Sequence, residues 1–394
     1  MVFLFDRKWK GSGGHSKQME SRNQLRKRIL ITCFALQDFN EGDFLRALAH
    51  YQGLQSESET SLICMSLARA SKDYVVAKKV LPGGSLNRML LWLPQLFMAC
   101  VGRTFDVILC SGDYYGFFIC YVLSKVKGQT IVYDAGGVNW TNLESISQRD
   151  TLKALTARTI EKLIGMHADA VLTATRQTER FYSQLNSRTF LIPNSLRFED
   201  FVASTEKRKY WRDFYGISPN ENLVGCIGPF GLYNGKPHNM NWPNLKFIQD
   251  NLDKISESTH LMAVGACPQD LRKWSNRIIY SGYVQDYVGH LSALDAVIQP
   301  AIIPTSGTFF KMLTSMALSL PIFTTPNGIV GLDMVADGEN LLVFPLGKLL
   351  EGLAEAFSDK ERLVRIGKKA REYVEKHHNE TINRKILLAA LHLG

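Results

Sequence analysis

A glycine, a lysine and a threonine in the second half of the chain have the spacing of an anion-binding helix. The run from 304 to 317 reads PTSGTFFKMLTSMA, with Gly307, Lys311 and Thr314 at positions i, i+4 and i+7. Residues at this spacing share one stripe of a helix, which here starts at the helix N-terminus. A lysine in the first turn opposes the helix dipole, and a bound phosphate would compensate for it. The pattern predicts a phosphate site, with a solvent-facing lysine as the alternative.

A second glycine cluster closes the apolar segment NLVGCIG. Gly228 ends this segment, Pro229 and Phe230 come next, and Lys236 follows within reach. Because glycine lets a backbone approach a ligand closely, the loop would admit a pyrophosphate that Lys236 neutralises. A surface-loop lysine is an equally good interpretation.

Two loops in the first half have related features. Gly13, Gly14 and His15 follow the opening segment VFLF and precede a basic helix, whose dipole would favour an anion or a sugar hydroxyl. A turn without a ligand is the alternative. Asp134 closes the segment TIVY. Its carboxylate would orient an acceptor hydroxyl at the edge of a cleft, or would cap a helix.

These loops need a particular arrangement of elements around them. Short apolar strands alternate with helical segments almost from end to end, which is typical of a parallel sheet covered on both faces. The alternation pauses in a polar segment, 197–222, and restarts at NLVGCIG. We therefore predict an α/β chain with two Rossmann-like domains, 1–200 and 201–378, and a last helix, 379–394, that packs back on the first. In such sheets ligands bind at the carboxyl ends of the strands.

The composition is that of a folded protein with two domains. The 394 residues exceed the roughly 250–300 at which a single core stops growing. A hydrophobic content of 45% with 21% charged residues excludes global disorder. Seven scattered cysteines without a CxxC pair predict buried thiols rather than disulfides or a zinc site. No apolar run reaches the roughly 18 residues of a membrane span, so a cytoplasmic protein is expected.

The positive charge is concentrated near the N-terminus. The formal net charge is +9, and the first thirty residues carry eight basic against two acidic side chains, which gives +6. Such a patch would suit phosphates or an anionic membrane surface, with a solvated helix face as the alternative. Nucleic acid is disfavoured because no recognition module accompanies the charge.

Several segments, in the right order, resemble retaining GT-B glycosyltransferases of the large family four. They are HADAVLTATRQTERFY, FLIPNSLRFEDF, SGYVQD with LSALDAVIQP, and SGTFFKMLTSMALSLPIFTTPNGIVGLDMVADGENLLVF. The resemblance is diffuse through the first domain and sharper from Asp169 to Val343. It implies the GT-B architecture, in which two Rossmann-like domains with parallel sheets face each other across a cleft that binds a nucleotide sugar, such as a UDP-sugar.

The resemblance also implies roles for individual residues. Lys311 and Lys236 would stabilise the departing diphosphate, and Asp134 would act on the acceptor. Further donor contacts would come from Gly228, Pro229, Phe230, Gly282, Tyr283, Val284, Ser306, Gly307, Thr308 and Thr314. Acceptor contacts would come from Gly13, Gly14, His15, Asp134 and Gly136. The chain departs from the family at three of these positions, because Ser306 and Thr314 stand where glutamates are expected and Gly136 where a His or Arg is expected.

The implied activity is transfer of a sugar from a nucleotide-sugar donor to a glycan, a lipid-linked or another acceptor. By resemblance it would proceed with retention, without a bound metal or cofactor, in a pathway such as polysaccharide biosynthesis. The absent carboxylates leave a non-catalytic nucleotide- or sugar-binding subunit as the alternative. A nucleotide-sugar epimerase on the same fold would need acid-base residues that the sequence does not supply.

Overall fold

The computed structural model describes residues 26–36, 42–66, 75–79, 85–137, 151–233, 236–237, 240–273, 275–304 and 307–392. The predicted opening strand VFLF, the basic helix after it and the loop with Gly13, Gly14 and His15 lie outside these residues.

The first half forms a seven-stranded parallel sheet in the order β3-β2-β1-β4-β5-β6-β7. Its strands are β1 (Arg28–Leu36), β2 (Glu59–Ser66), β3 (Val75–Lys79), β4 (Val107–Ser111), β5 (Thr130–Ala135), β6 (Ala170–Thr173) and β7 (Thr189–Leu191). All residues of β4 and β6 are buried, because helices cover both faces of the sheet. The alternation of strands and helices was predicted, except that β3 was missed.

In the described parts of the first half, five helices connect these strands. They are α1 (Gly42–Leu54), α2 (Ser85–Val101), α3 (Tyr114–Lys127), α4 (Thr151–His167) and α5 (Arg176–Tyr182). Helix α1 packs on one face of the sheet, where Phe44 and Tyr51 join the core. Helices α2 to α5 pack on the other face, where Trp92, Phe117 and Tyr182 are buried.

The second half forms a six-stranded parallel sheet in the order β12-β11-β8-β13-β14-β15. Its strands are β8 (Asn222–Ile227), β11 (Thr259–Val264), β12 (Ile278–Gly282), β13 (Ala296–Gln299), β14 (Ile322–Thr324) and β15 (Leu342–Val343). A separate antiparallel pair, β9 (Leu232–Tyr233) with β10 (Lys236–Pro237), follows β8.

The polar segment predicted as a linker contains a helix, α6 (Thr205–Phe214). Its arginines hold it to the second half, since Arg208 and Arg212 both form ion pairs with Asp295, at 2.5 and 3.0 Å. The remaining helices are α7 (Trp242–Asp250), α8 (Tyr287–Ser292), α9 (Phe310–Ala317), α10 (Leu349–Ala356), α11 (Lys360–His377) and α12 (Glu380–Ala390).

The last helix returns to the first half of the chain. Leu387, Ala390 and Leu391 of the α12 region are buried in the same core as α1. Arg384 also pairs with Glu57 at 2.6 Å. The chain therefore crosses between the two sheets twice, once after β7 and once before α12.

Both sheets reverse their strand order at a central strand. The order reverses between β1 and β4 in the first sheet and between β8 and β13 in the second. In open α/β sheets the crevice for a ligand lies at this point, at the carboxyl ends of the strands. The predicted fold class, α/β with two Rossmann-like halves, is confirmed.

Candidate functional site

The loop before α9 meets the carboxyl edge of the first sheet. A Cβ atom on Gly307 would lie 3.1 Å from the carbonyl oxygen of Gly136, so the two backbones are in close contact. Thr308 donates its hydroxyl to the carbonyl of Gly331 at 2.7 Å. Asn194, in the first crossing, donates to the carbonyl of Thr308 at 3.5 Å. The start of α9 therefore faces the first domain.

Helix α9 begins without a side-chain cap at its N-terminal residue, Phe309. All residues from Met312 to Ala317 are buried in the second domain, which fixes the direction of the helix axis. The N–H groups of a first helical turn have no partners within the helix and carry a partial positive charge. This end of α9 is thus suited to bind an anion.

Lys311 brings a positive charge to the same place. Its Nζ donates to the carbonyl of Ile227 at 2.9 Å and to Oδ1 of Asn241 at 2.6 Å, and it lies 5.3 Å from the ring centroid of Phe309. Burial disfavours the charged form and lowers the pKa of Lys311 to about 8. An ammonium has three N–H donors, and the described residues accept from two of them. The third is available to a ligand. Among the described residues no carboxylate pairs with Lys311. A bound diphosphate would provide the negative charge.

Thr314 does not face a ligand. It is buried, and its hydroxyl lies 3.0 Å from Oη of Tyr287 and donates to the carbonyl of Lys311 at 3.1 Å. The predicted donor contact from its side chain is therefore replaced by a contact inside the second domain. Ser306 lies outside the described residues.

The loop after β8 supports Lys311 with its backbone. A Cβ on Gly228 would lie 2.6 Å from Cγ of Asn241, so only glycine allows Asn241 to reach the Lys311 ammonium. Pro229 is exposed. Phe230, a predicted donor contact, is completely buried in the core of the second domain and does not reach the cleft. Lys236 lies in β10.

The end of β12 presents a short glycine turn. Gly282 has a positive φ of 66°, which would strain any side chain, although a Cβ there would meet no atom within 4 Å. Tyr283 after it is half-exposed, whereas Val284, another predicted donor contact, is buried in the core. Tyr283 is the side chain of this trio that is accessible.

Asp134 is not a carboxylate at the cleft edge, as the sequence suggested, and it caps no helix. It lies inside β5 with no exposed surface. Arg46 donates to both of its oxygens at 2.6 to 3.0 Å, Ser111 donates at 2.7 Å, and His50 Nε2 lies 3.1 Å away. Burial raises the pKa of Asp134, but Arg46 and His50 outweigh it and hold the pKa well below the usual range. This carboxylate is structural.

The ion pair connects to the start of α9. Arg46 also donates to the carbonyl of Ile192 at 2.7 Å and to Oδ1 of Asn194 at 3.1 Å. Asn194 in turn contacts the carbonyl of Thr308. A continuous polar network thus joins the first sheet, the crossing between domains and the start of α9.

Asp43 is the cleft carboxylate that sequence reasoning missed. It lies in the first turn of α1 and is exposed. Its Oδ1 is 2.8 Å from where a Cβ on Gly136 would be, and its Cγ is 2.9 Å from where a Cβ on Gly112 would be. Surrounding protein atoms and the Asp134 carboxylate raise the pKa of Asp43. The Arg46 guanidinium lowers this pKa, but by less. The pair Gly42-Asp43 after the strand ILITCF was the signal in the sequence.

The two sides of the site meet at Gly136. Asp43 approaches it from the first domain, and Gly307 touches its carbonyl from the second. A side chain at Gly136 would displace Asp43, which gives a physical reason for glycine where a His or Arg was expected. Within the described ranges, no group of three or more His, Cys, Asp or Glu side chains could hold a metal ion.

Comparison with known proteins finds a family similarity at this site. Residues 228–359, which contain α9 and Lys311, match the family model described as Glycosyl transferases group 1. This similarity lies in the second half of the chain. No curated protein is a significant sequence match.

Solved structures match the chain over nearly its whole length. HepE from Anabaena, in complex with UDP and glucose, has a TM-score of 0.71 at 15% identity, with 93% of this chain and 99% of that chain covered. Sucrose-phosphate synthase from Thermosynechococcus elongatus has a TM-score of 0.71 at 14% identity, covering 91% and 97%. WaaG, a glycosyltransferase involved in lipopolysaccharide biosynthesis, has a TM-score of 0.66 at 14% identity, covering 92% and 99%. The fold is GT-B.

Proposed function

We propose that this chain is a glycosyltransferase that moves a sugar from a nucleotide-sugar donor, with its diphosphate bound at the start of α9, to an acceptor hydroxyl near Asp43. The observation that carries the proposal is the Lys311 ammonium beside an uncapped helix N-terminus, at the carboxyl edge of the second sheet. UDP is the nucleotide we expect, because similar structures hold UDP and glucose.

The chemistry requires stabilisation of the leaving group. The bond between the anomeric carbon and the diphosphate oxygen breaks, and a bond from the anomeric carbon to the acceptor oxygen forms on the same face, with retention. The acceptor proton passes to the departing phosphate oxygen. Negative charge grows on the diphosphate, where the first-turn N–H groups of α9 and the Lys311 ammonium stabilise it. In this scheme the protein supplies the positive charge and needs no metal.

Asp43 is the residue we assign to acceptor positioning. Its exposed carboxylate lies against Gly136, which touches the Gly307 loop. A carboxylate accepts hydrogen bonds from sugar hydroxyls and would orient the acceptor beside the anomeric carbon. Asp43→Asn should lower kcat by roughly tenfold or more and leave the donor affinity unchanged; equal losses in both would remove this assignment.

The function is tested by a panel of nucleotide sugars and nucleoside diphosphates in thermal-shift assays, followed by donor turnover. We expect one nucleoside diphosphate and its nucleotide sugar to raise the melting temperature of the protein. The sugar of that donor should be transferred to an acceptor or released by hydrolysis. Binding without turnover, with candidate glycans and lipid-linked acceptors present, would favour a nucleotide-binding subunit. The observation that favours this alternative is the buried Thr314, at a position where a carboxylate was expected.

The acceptor class and location belong to the same proposal. We place the enzyme in the cytoplasm at the inner membrane face, acting on a glycan or lipid-linked acceptor in polysaccharide biosynthesis. The +6 charge of the first thirty residues supports contact with anionic lipid. None of the described helices is both long and apolar enough to cross a membrane.

A further inference from the structure

One face of the first domain exposes an unusual number of large apolar side chains. Of the 18 such side chains among the described residues, 11 lie on the consecutive helices α2, α3 and α4. They are Leu90, Phe97, Met98 and Val101 on α2, Phe118, Val122 and Val126 on α3, and Leu152, Leu155, Leu163 and Met166 on α4. We call this set the apolar face.

The apolar face spans three neighbouring helices. Helix α3 packs against α2 on one side and α4 on the other, and all three bury their opposite sides in the core under the first sheet. Val126 is 79% exposed, Leu152 76% and Met98 66%. Scattered apolar residues are normal on a protein surface, whereas a contiguous patch marks an interaction site.

The exposed charges among the described side chains of these helices are positive. Helices α2, α3 and α4 contain six Lys or Arg residues and one acidic residue, Glu161, which is buried. Lys125, Lys153, Arg158 and Lys162 are exposed. Long basic side chains can lie along apolar surface and keep their charge at its rim. The face therefore combines apolar side chains with positive charge.

We propose that the apolar face docks on an anionic lipid bilayer surface, with its apolar side chains among the acyl chains and its cations at the headgroups. Bilayer binding of this kind scales with buried apolar area and with attraction to anionic lipid. A second copy of the chain fits less well, because pairing two such faces brings like charges together. This surface lies on α2, α3 and α4 and not at the start of α9, so its failure would leave the proposed catalysis intact.

The test is flotation of the full-length protein with vesicles of phosphatidylcholine, alone or with about 30% phosphatidylglycerol. The double variant Val126→Glu, Leu152→Glu is compared with the control Val364→Glu, Ile382→Glu, which changes exposed apolar residues on α11 and α12. We expect wild type and control to bind the anionic vesicles, and the α3/α4 variant to bind at least about tenfold less. Lys153→Gln, Lys162→Gln should weaken binding to anionic vesicles and reduce its salt dependence.

Three outcomes would overturn the proposal. Vesicle binding that survives Val126→Glu, Leu152→Glu would place the contact elsewhere on the chain. A dimer in light scattering that this variant alone dissociates, without vesicle binding, would assign the face to a second copy. A melting temperature lowered by several degrees in this variant and not in the control would mean that another part of the chain covers the face.

Discussion

At the scale of single residues, Lys311 and Asp43 carry the chemistry. The two groups lie on opposite sides of the Gly136–Gly307 contact, one cationic and one anionic. Their pKa values are shifted in the directions expected for groups crowded by protein. Such shifts are typical of sites that bind or transform a charged ligand.

The pKa of Lys311 predicts how donor binding depends on pH. The ammonium loses its proton as pH rises through about 8, and a bound diphosphate favours the charged form. Affinity for the nucleoside diphosphate should therefore be constant near pH 7 and fall as pH rises above about 8. Isothermal titration between about pH 7 and pH 10 measures this. Lys311→Arg, which stays protonated, should remove the fall; the same slope in both proteins would exclude Lys311.

At the scale of elements, the Arg46–Asp134 pair fixes α1 to β5 and to the crossing between domains. Arg46 is 3% exposed and Asp134 is fully buried. Removing one partner leaves a buried charge without compensation, which commonly costs about 3–5 kcal/mol. Arg46→Met should lower the free energy of unfolding by about this amount in urea denaturation. The half-exposed pair Arg384–Glu57 offers a control, since Arg384→Met should cost at most about 1 kcal/mol.

The contribution of this pair also depends on pH. Arg46 and His50 hold the pKa of Asp134 below that of an unfolded aspartate, so the stabilisation is present above about pH 4 and is lost as pH falls further. Arg46→Met should flatten the acid limb of the stability profile. An unchanged acid limb would contradict the structural role of the pair.

The sequence predicted these elements better than their side-chain environments. Apolar runs such as VILC and TIVY identified strands because burial on both faces leaves a direct compositional signal. The positions of Asp134, Phe230 and Thr314 depend on partners distant in the sequence, such as Arg46 and Tyr287, which no local pattern reveals. Asp43 was missed for the same reason, since Gly112 and Gly136 make its space.

At the scale of the whole molecule, few polar contacts join the two halves at the cleft among the residues that the structure describes. Asn194 contacts Thr308, and the Arg176 N–H donates to Asp333 at 3.4 Å. The two crossings lie side by side, with the Leu196 N–H bonded to the carbonyl of His378 at 2.9 Å. Two adjacent crossings with a lightly bonded cleft are suited to a hinge motion.

Donor binding should therefore close the cleft. We expect the radius of gyration from small-angle X-ray scattering to decrease when the nucleotide sugar is added, because the diphosphate draws first-domain groups toward α9. Lys311→Ala at the same donor concentration should show a smaller decrease. A radius that donor leaves unchanged in the wild type would exclude closure.

The central claim is that the start of α9, with Lys311, holds a diphosphate. The most direct measurement is isothermal titration of the preferred nucleoside diphosphate and its monophosphate into wild type and Lys311→Ala. We predict that the second phosphate strengthens binding to the wild type by about tenfold or more, as a charge-assisted hydrogen bond would, and that most of this gain disappears in the variant. Equal affinity of the wild type for both nucleotides, or a gain that Lys311→Ala leaves intact, would contradict the account.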